Sequence, residues 1–151
     1  MFDVDDQTAP RIRQLSIFLE NRLGALLPIT RILESHDIHV CAIDIRDGTD
    51  YAVVRLVVDR PTLAEASLSA EGYKVFLTDL LGVAMPHGRG IGIRKILTAL
   101  LMAELNVHYV YAVVTHSRTH DVVAVHVEDM DRAAEMVKQH GLGLISQDDL
   151  P

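Results

Sequence analysis

Apolar residues along the chain fall into two spacings, and the alternation between them occurs twice. Leu15, Ile17 and Leu19 interleave with Gln14, Ser16 and Phe18 at period two, which predicts a strand. A polar loop, Asn21-Arg22-Leu23-Gly24, follows it. Leu26, Ile29, Ile32 and Leu33 then recur at helical spacing. Pro28 falls in the first turn, where few N–H groups have intrahelical acceptors, so it restricts the helix start without breaking the helix. The helix is expected to stop near His36 and Asp37. Residues 38–45 read as a second strand, dense in β-branched side chains. Asp47-Gly48 marks a tight turn, and residues 51–58 read as a third strand. A weaker helix opens at Pro61 and runs to about residue 70. Gly72 follows, then a fourth strand over residues 74–77.

The same order of elements returns. Residues 80–85 read as a strand and residues 86–92 as a loop. Ile93, Ile96, Leu97, Leu100 and Leu101 form a helical stripe. Residues 107–114 and 122–127 read as strands joined by a polar turn. A helix carrying Ala133, Met136 and Val137 starts at Asp129 or Asp131, and Gly141 and Gly143 end it before Leu144-Ile145. At an offset of 67 residues, Arg22 meets Arg89, Ile29 meets Ile96, Leu33 meets Leu100 and Val40 meets Val107. The pattern is an internal duplication. Each half is a split β-α-β, or ferredoxin-like, unit. The predicted class is α+β: two βαββαβ repeats, residues 11–77 and 78–148, with antiparallel sheets joined into an extended sheet and helices on one face.

Such helices cover only one side of a sheet, yet the strands are apolar on both. Tyr51, Val53 and Val57 point one way; Ala52, Val54, Leu56 and Val58 point the other. A sheet apolar on both faces needs a further partner surface. The sister repeat or a second chain could supply it, and a homodimer is expected.

Composition narrows the function classes. The chain has 151 residues, 49% of them hydrophobic but only 5% aromatic and none Trp, so the core must be aliphatic. A net charge of −7 argues against nucleic acid and anionic membranes as partners. Cys41 is the single cysteine, which excludes an intrachain disulfide and a Cys-based zinc site. It falls in an apolar run and reads as a small core residue. The acidic N-terminal residues Asp3, Asp5 and Asp6 do not fit a signal peptide, and no apolar run reaches the roughly 18 residues of a membrane span. A soluble cytoplasmic protein is expected. The acidic residues at both ends read as solvated termini.

Chemistry concentrates in the two loops that end the first strand of each half. A strand that stops at a glycine-containing loop and feeds a helix presents free N–H groups at a sheet edge, a setting that favours a carboxylate. Gly24 allows close backbone approach, and Asn21 and Asn106 offer amides. Arg89 could grip a carboxylate bidentately or simply be an exposed loop arginine. The run Gly88-Arg89-Gly90-Ile91-Gly92 lacks the spacing of a dinucleotide fingerprint. No phosphate-binding P-loop and no nucleophile-elbow sequence occurs. His116, His120 and His126, with Asp121 and Glu128 nearby, do not have the spacing of a metal site and read as a solvated turn and its strand. No acid–base cluster is evident, and neither metal nor cofactor is expected.

The stretch SIFLENRLGALLPITRILESHDIHVCAI at residues 16–43 resembles the ACT domain, a small module that binds amino acids and regulates metabolic enzymes. That family's first loop commonly reads Asn-x-Pro-Gly, here Asn21-Arg22-Leu23-Gly24-Ala25. Its second strand opens with a Gly-Ile-Asn-Ile-like step, here Asp37-Ile38-His39-Val40. In the second half, Arg89-Gly90-Ile91-Gly92-Ile93 and Glu104-Leu105-Asn106-Val107 stand at the same places. The resemblance spans residues 11–148 and leaves no room for an appended enzyme domain. It implies a non-catalytic sensor of a small-molecule amino acid. The implied ligand contacts are Asn21, Arg22, Leu23, Gly24, Ala25 and His39 in the first repeat, and Arg89, Gly90, Ile91, Gly92 and Asn106 in the second. It further implies a metabolic enzyme as a partner, with regulatory subunits of acetolactate synthase as one precedent. A ferredoxin-like enzyme and a ligand-free oligomerisation module are the alternatives. Leu23 replaces the loop proline, His39 replaces the strand-start asparagine, and Gly88 stands where Asn21 does. The two repeats are therefore expected to bind unequally.

Overall fold

The computed structural model describes residues 9–87, 91–115 and 120–151, with Ile91 described by its backbone alone. Its elements follow the duplicated order: β1 (Ile12–Glu20), α1 (Leu27–Ser35), β2 (Val40–Asp47), β3 (Tyr51–Val58), α2 (Pro61–Ala70), β4 (Lys74–Pro86), α3 (Ile91–Met102), β5 (Val107–Val113), β6 (His120–Val127), α4 (Met130–Gln139) and β7 (Gly143–Ile145). A short 3-10 turn, Gln147–Asp149, follows.

The strands form one antiparallel sheet in the order β2-β3-β1-β4-β6-β5, with β7 paired to β4. The fold is α+β with ferredoxin-like repeats, as the pattern predicts. One feature differs. The two strands expected at residues 74–77 and 80–85 are a single strand of 13 residues. Thr78 and Asp79, which lie between the two expected strands, pair with Gln14 and Arg13 and keep the ladder continuous. The first part of β4 pairs with β1, and the second with β6 and β7. The two repeats thus share an unbroken backbone.

The sheet curls until its far edges meet, where the Val114 N–H donates to the Cys41 carbonyl at 2.8 Å. Gly82 stands at the crossing. A Cβ there would lie 2.4 Å from Ile12 Cδ1 and 2.9 Å from the Ile145 carbonyl oxygen, so only glycine fits without displacement.

The curl makes three cores. Leu15, Ile17, Val54 and Leu56 pack beneath α1 and α2 with Ile29, Leu33 and Leu68. Leu81, Val83, Val123 and Val125 pack beneath α3 and α4 with Ile96, Leu100 and Val137. Ile12, Val57, Leu80, Val122 and Ala124, with Cys41 and Ala42, fill the space between the inner faces of the two half-sheets. The second apolar face is thus covered in part by the sister repeat, which meets within one chain much of the need that suggested a second copy. Phe18 and Phe76, in edge-to-face contact at 5.6 Å, remain half exposed on that face. In α3, Ile96 and Leu100 are buried. Ile93, Leu97 and Leu101, also part of the predicted stripe, lie at intervals of four on the outward side.

A polar network crosses the inner core. Gln14 is fully buried, the one buried polar side chain among the described residues. Its amide donates to the Tyr109 hydroxyl at 2.8 Å and accepts from the Tyr111 hydroxyl at 2.6 Å. The Arg55 guanidinium lies 3.7 Å from the Tyr109 ring centre and pairs with Asp44 at 3.3 Å. Burial, then the neighbouring Tyr109, holds the Tyr111 hydroxyl well above the usual tyrosine range. The tail joins the same seam: Gln147 accepts from the Arg13 N–H and donates to the Val58 and Arg11 carbonyls. Cys41 is buried, and burial followed by Asp59 pushes its thiol pKa up, as suits a core residue.

The duplication extends to backbone detail. Asp37 and Glu104 both have left-handed φ, 52° and 56°. A register shift follows each, at Val40/Ala42 and at Val107/Tyr109. Gly72 and Gly141, at φ 89° and 77°, close the second helix of each repeat.

Replacing Gly82 with Val should destabilise the protein by about 1–3 kcal/mol, because the added atoms overlap Ile12 and the backbone of β7. Urea denaturation measures this, and an unchanged midpoint would contradict the tight crossing. A second expectation concerns His126, whose Nδ1 is buried without a partner and whose ring lies tilted against His108 and Tyr109. Burial, then His108 and Arg55, lowers its pKa below 6.5. The folded state therefore binds fewer protons than the unfolded one below that pH. The stability is fully present above the unfolded value and is lost as pH falls through the lowered one. Melting curves between pH 7 and pH 5 should show a shallower decline for His126→Phe than for the parent chain.

Candidate functional site

The site begins with an uncapped helix. Leu26, at the N-cap of α1, has no side-chain acceptor, Pro28 occupies the first turn, and that turn holds no acidic residue. Asn21-Arg22-Leu23-Gly24-Ala25 forms the approach. Gly24 takes φ +77°, with open space where a Cβ would project. Within the loop, Ala25 N–H donates to the Arg22 carbonyl at 3.3 Å and Leu27 N–H to the Gly24 carbonyl at 3.2 Å. Among the described residues, the N–H groups of Leu23, Gly24 and Leu26 have no backbone acceptor. Unpaired N–H groups at the positive end of a helix suit a small anion or carboxylate.

A cavity of about 250 Å³ adjoins the loop. Leu19, Ala52 and Val54 form its floor, Ile45 a wall, and Glu20, Asn21, Arg22 and Asp47 its polar lining. The antiparallel register explains the grouping, because Leu19 pairs with Ala52 and Ile45 with Val54. A second cavity, about 300 Å³, lies beside the same loop and is lined by Phe18, Glu20, Arg22, Tyr73 and Lys74 among others. Arg22 and Glu20 approach to 3.6 Å, both exposed. Leu23 stands fully in solvent at the loop tip.

The candidate residues are distributed unevenly. Asn21, Arg22, Leu23, Gly24 and Ala25 line one cavity. The Asn21 amide is already engaged, donating to Asp47 Oδ1 at 2.7 Å and to the Gly48 carbonyl at 2.6 Å. Its first role is to fasten the loop to the β2–β3 turn. His39 lies at the other end of β2, where its N–H donates to Asp59 at 2.8 Å. Eight residues of strand separate it from the turn, roughly 25 Å at 3.3 Å per residue. One small molecule cannot touch both Asn21 and His39 in the same chain. Asn106 occupies the matching place in the second repeat, its N–H on Glu128 at 3.4 Å. Gly88, Arg89 and Gly90 lie outside the described residues, as do the Ile91 side chain and His116. Gly92 is in α3, not in a loop. A Cβ there would lie 2.8 Å from Met85, so this glycine lets the helix pack closely on β4.

Sequence reading missed the hairpin's share of the site: Ile45, Asp47, Ala52 and Val54. The Asp47-Gly48 turn was visible, but only the β1–β3 register brings it beside Asn21. Among the described residues, no three His, Cys, Asp or Glu side chains converge as metal ligands. Among those residues, too, no helix is long and apolar enough to cross a membrane.

Two βαββαβ units fused through one strand, with an open loop before α1, define a tandem ferredoxin-like module. The family model described as an ACT domain pair matches residues 10–151, and the chain belongs to that family. Among solved structures, protein BT0572 from Bacteroides thetaiotaomicron is 28% identical, with a TM-score of 0.84 over 93% of this chain and 96% of that one. The ligand-free regulatory subunit of aspartate kinase from Thermus thermophilus is 19% identical, with a TM-score of 0.64 over 87% of this chain and 93% of the other. The Thermus flavus regulatory subunit is 15% identical, with a TM-score of 0.60 over 87% and 94%. At these identities the two Thermus proteins share the fold. No curated protein matches the chain.

The unequal bonding of the two asparagines gives a direct expectation. Asn21→Ala removes two side-chain hydrogen bonds and should cost about 1–2 kcal/mol of stability. Asn106→Ala removes no side-chain hydrogen bond and should stay within about 0.5 kcal/mol of the parent. Equal losses in thermal melts would contradict this assignment.

Proposed function

We propose that the protein is a non-catalytic sensor that binds a free amino acid at the 21–25 loop and thereby regulates amino-acid metabolism. The carrying observation is the open start of α1, with the N–H groups of Leu23, Gly24 and Leu26 unpaired beside a cavity. A ligand carboxylate fits those donors, and its ammonium fits the Asp47 and Glu20 carboxylates at the rim. Residues 11–77 and 78–148 act as two ligand modules on one shared strand. In the second, Arg89, Gly90, Ile91 and Gly92 contribute from the loop and the start of α3, and Asn106, at the place matching His39, contributes from a second copy, with a different donor set and a different affinity.

His39, being remote within its own chain, reaches a ligand only if a second copy presents it, so a homodimer is part of the proposal. Binding shifts the relative arrangement of modules only as far as the ligand prefers one arrangement over the other. A second reading, a regulatory subunit of a biosynthetic enzyme, draws support from the apolar stripe Ile93, Leu97 and Leu101 exposed on α3. Acetolactate synthase and aspartate kinase exemplify the enzymes such subunits serve.

Thermal melts with each common amino acid test the reading. At a hundredfold excess over Kd, specific binding adds about 2.7 kcal/mol of stability. At least one amino acid should raise the melting temperature, and Gly24→Val should remove the effect. No response to any amino acid would leave a ligand-free oligomerisation module as the function.

A further inference from the structure

We infer that the ligand of the 21–25 loop is an amino acid with an aliphatic side chain, seated in the cavity on the β2–β3 side of the loop. The inference rests on the proposal that this loop binds an amino acid, and it names the class.

The cavity exists because α1 starts late. The helix begins at Leu27, so the strand ends beneath the preceding loop have no helix above them. Leu19, Ala52 and Val54 are all buried and face this gap from β1 and β3. Ile45, 50% exposed, walls it from β2. These four side chains carry no hydrogen-bonding group. The polar part of the lining, Glu20, Asn21, Arg22 and Asp47 with the loop backbone, lies on the exposed side. A ligand held there has its charged end among donors and carboxylates and its other end against hydrocarbon.

That division selects for chemistry. A lysine or aspartate side chain directed at the floor would lose its water with no partner to replace it. An aliphatic side chain gains from the same burial. Size selects as well: about 250 Å³ is below the roughly 300–1,000 Å³ of sites for drug-sized molecules, and suits a single amino acid. The cavity on the other side of the loop shares Glu20 and Arg22 but has Lys74 and Tyr73 in place of Ile45, Ala52 and Val54, so its lining is mostly polar and would suit a polar ligand. The two cavities therefore make opposite predictions about ligand class.

Isothermal titration of the full chain with leucine, isoleucine, valine, alanine, phenylalanine, threonine, lysine and aspartate decides between them. Leucine or isoleucine should bind tightest. Shortening the side chain should weaken binding about tenfold or more per methylene. Lysine and aspartate should give no heat. Tightest binding by threonine, lysine, aspartate or phenylalanine would overturn the aliphatic assignment while leaving the sensor reading intact. No binding by any of them would overturn the aliphatic assignment, and a flat response to all the common amino acids in the melts would overturn the sensor reading with it. Ile45→Asp, at a half-exposed position that tolerates polarity, should weaken leucine by about a hundredfold with an unchanged melting temperature. Unchanged leucine affinity in that variant would place the ligand outside this cavity and overturn the inference. Ala52→Leu should fill the floor and turn the preference from leucine towards alanine. Should that variant fail to fold, the Ile45 substitution decides alone.

Discussion

A sheet covered by helices on one side must still hide its other apolar face from water, and this constraint shapes the whole chain. The solution is internal. β4 runs unbroken through both repeats, so their sheets are one surface, and that surface curls until its inner faces meet. Burying this face contributes at roughly 25 cal/mol per Å² of apolar area. Gly82 permits the close crossing with Ile12 that the curl requires. Hydrocarbon alone would leave the facing register weakly specified. Gln14, buried and bonded to both Tyr109 and Tyr111, fixes it by geometry, since an unpaired buried amide would be costly.

This arrangement also leaves the candidate site free. The inner faces cover much of each other, and α1 and α2 occupy the outer face of the first repeat. The end of the sheet where α1 has not yet begun stays open. There unpaired N–H groups stand beside a cavity lined by Leu19, Ile45, Ala52 and Val54. The Asn21 amide, tied to the β2–β3 turn, holds the loop in that open form. Ligand binding at this edge would act on β1, which carries Gln14 near its other end, and on β3, where Arg55 follows Val54, both at the seam between repeats. Strand continuity thus offers a physical connection between the loop and the inter-repeat contacts.

Much of the fold was legible because its signals are local. Period-two and period-3.6 stretches placed the helices and strands, and the offset of 67 residues revealed the duplication. What failed was information carried by pairing. Thr78 and Asp79 looked like a break until their partners in β1 made them part of a ladder. The five apolar residues in α3 read as one stripe, although three of them, Ile93, Leu97 and Leu101, are exposed. Gly92 looked like a loop residue, whereas its role is contact with Met85. The candidate site divides in the same way. The 21–25 loop was readable from its glycine and amide, while the cavity floor comes from strands that only the β1–β3 and β2–β3 registers bring together. The distance between His39 and Asn21 was equally invisible, because sequence matching says which repeat positions correspond and not which of them meet.

The central claim is that the unpaired amides at the start of α1 receive the ligand. It is tested most directly by amide chemical shifts of isotopically labelled protein, recorded before and after adding a saturating mixture of free amino acids. The account predicts the largest changes at the amides of Leu23, Gly24 and Leu26, with smaller ones in the 47–50 turn. Changes centred instead on the Gln14–Tyr109 seam, or no changes at all, would contradict it.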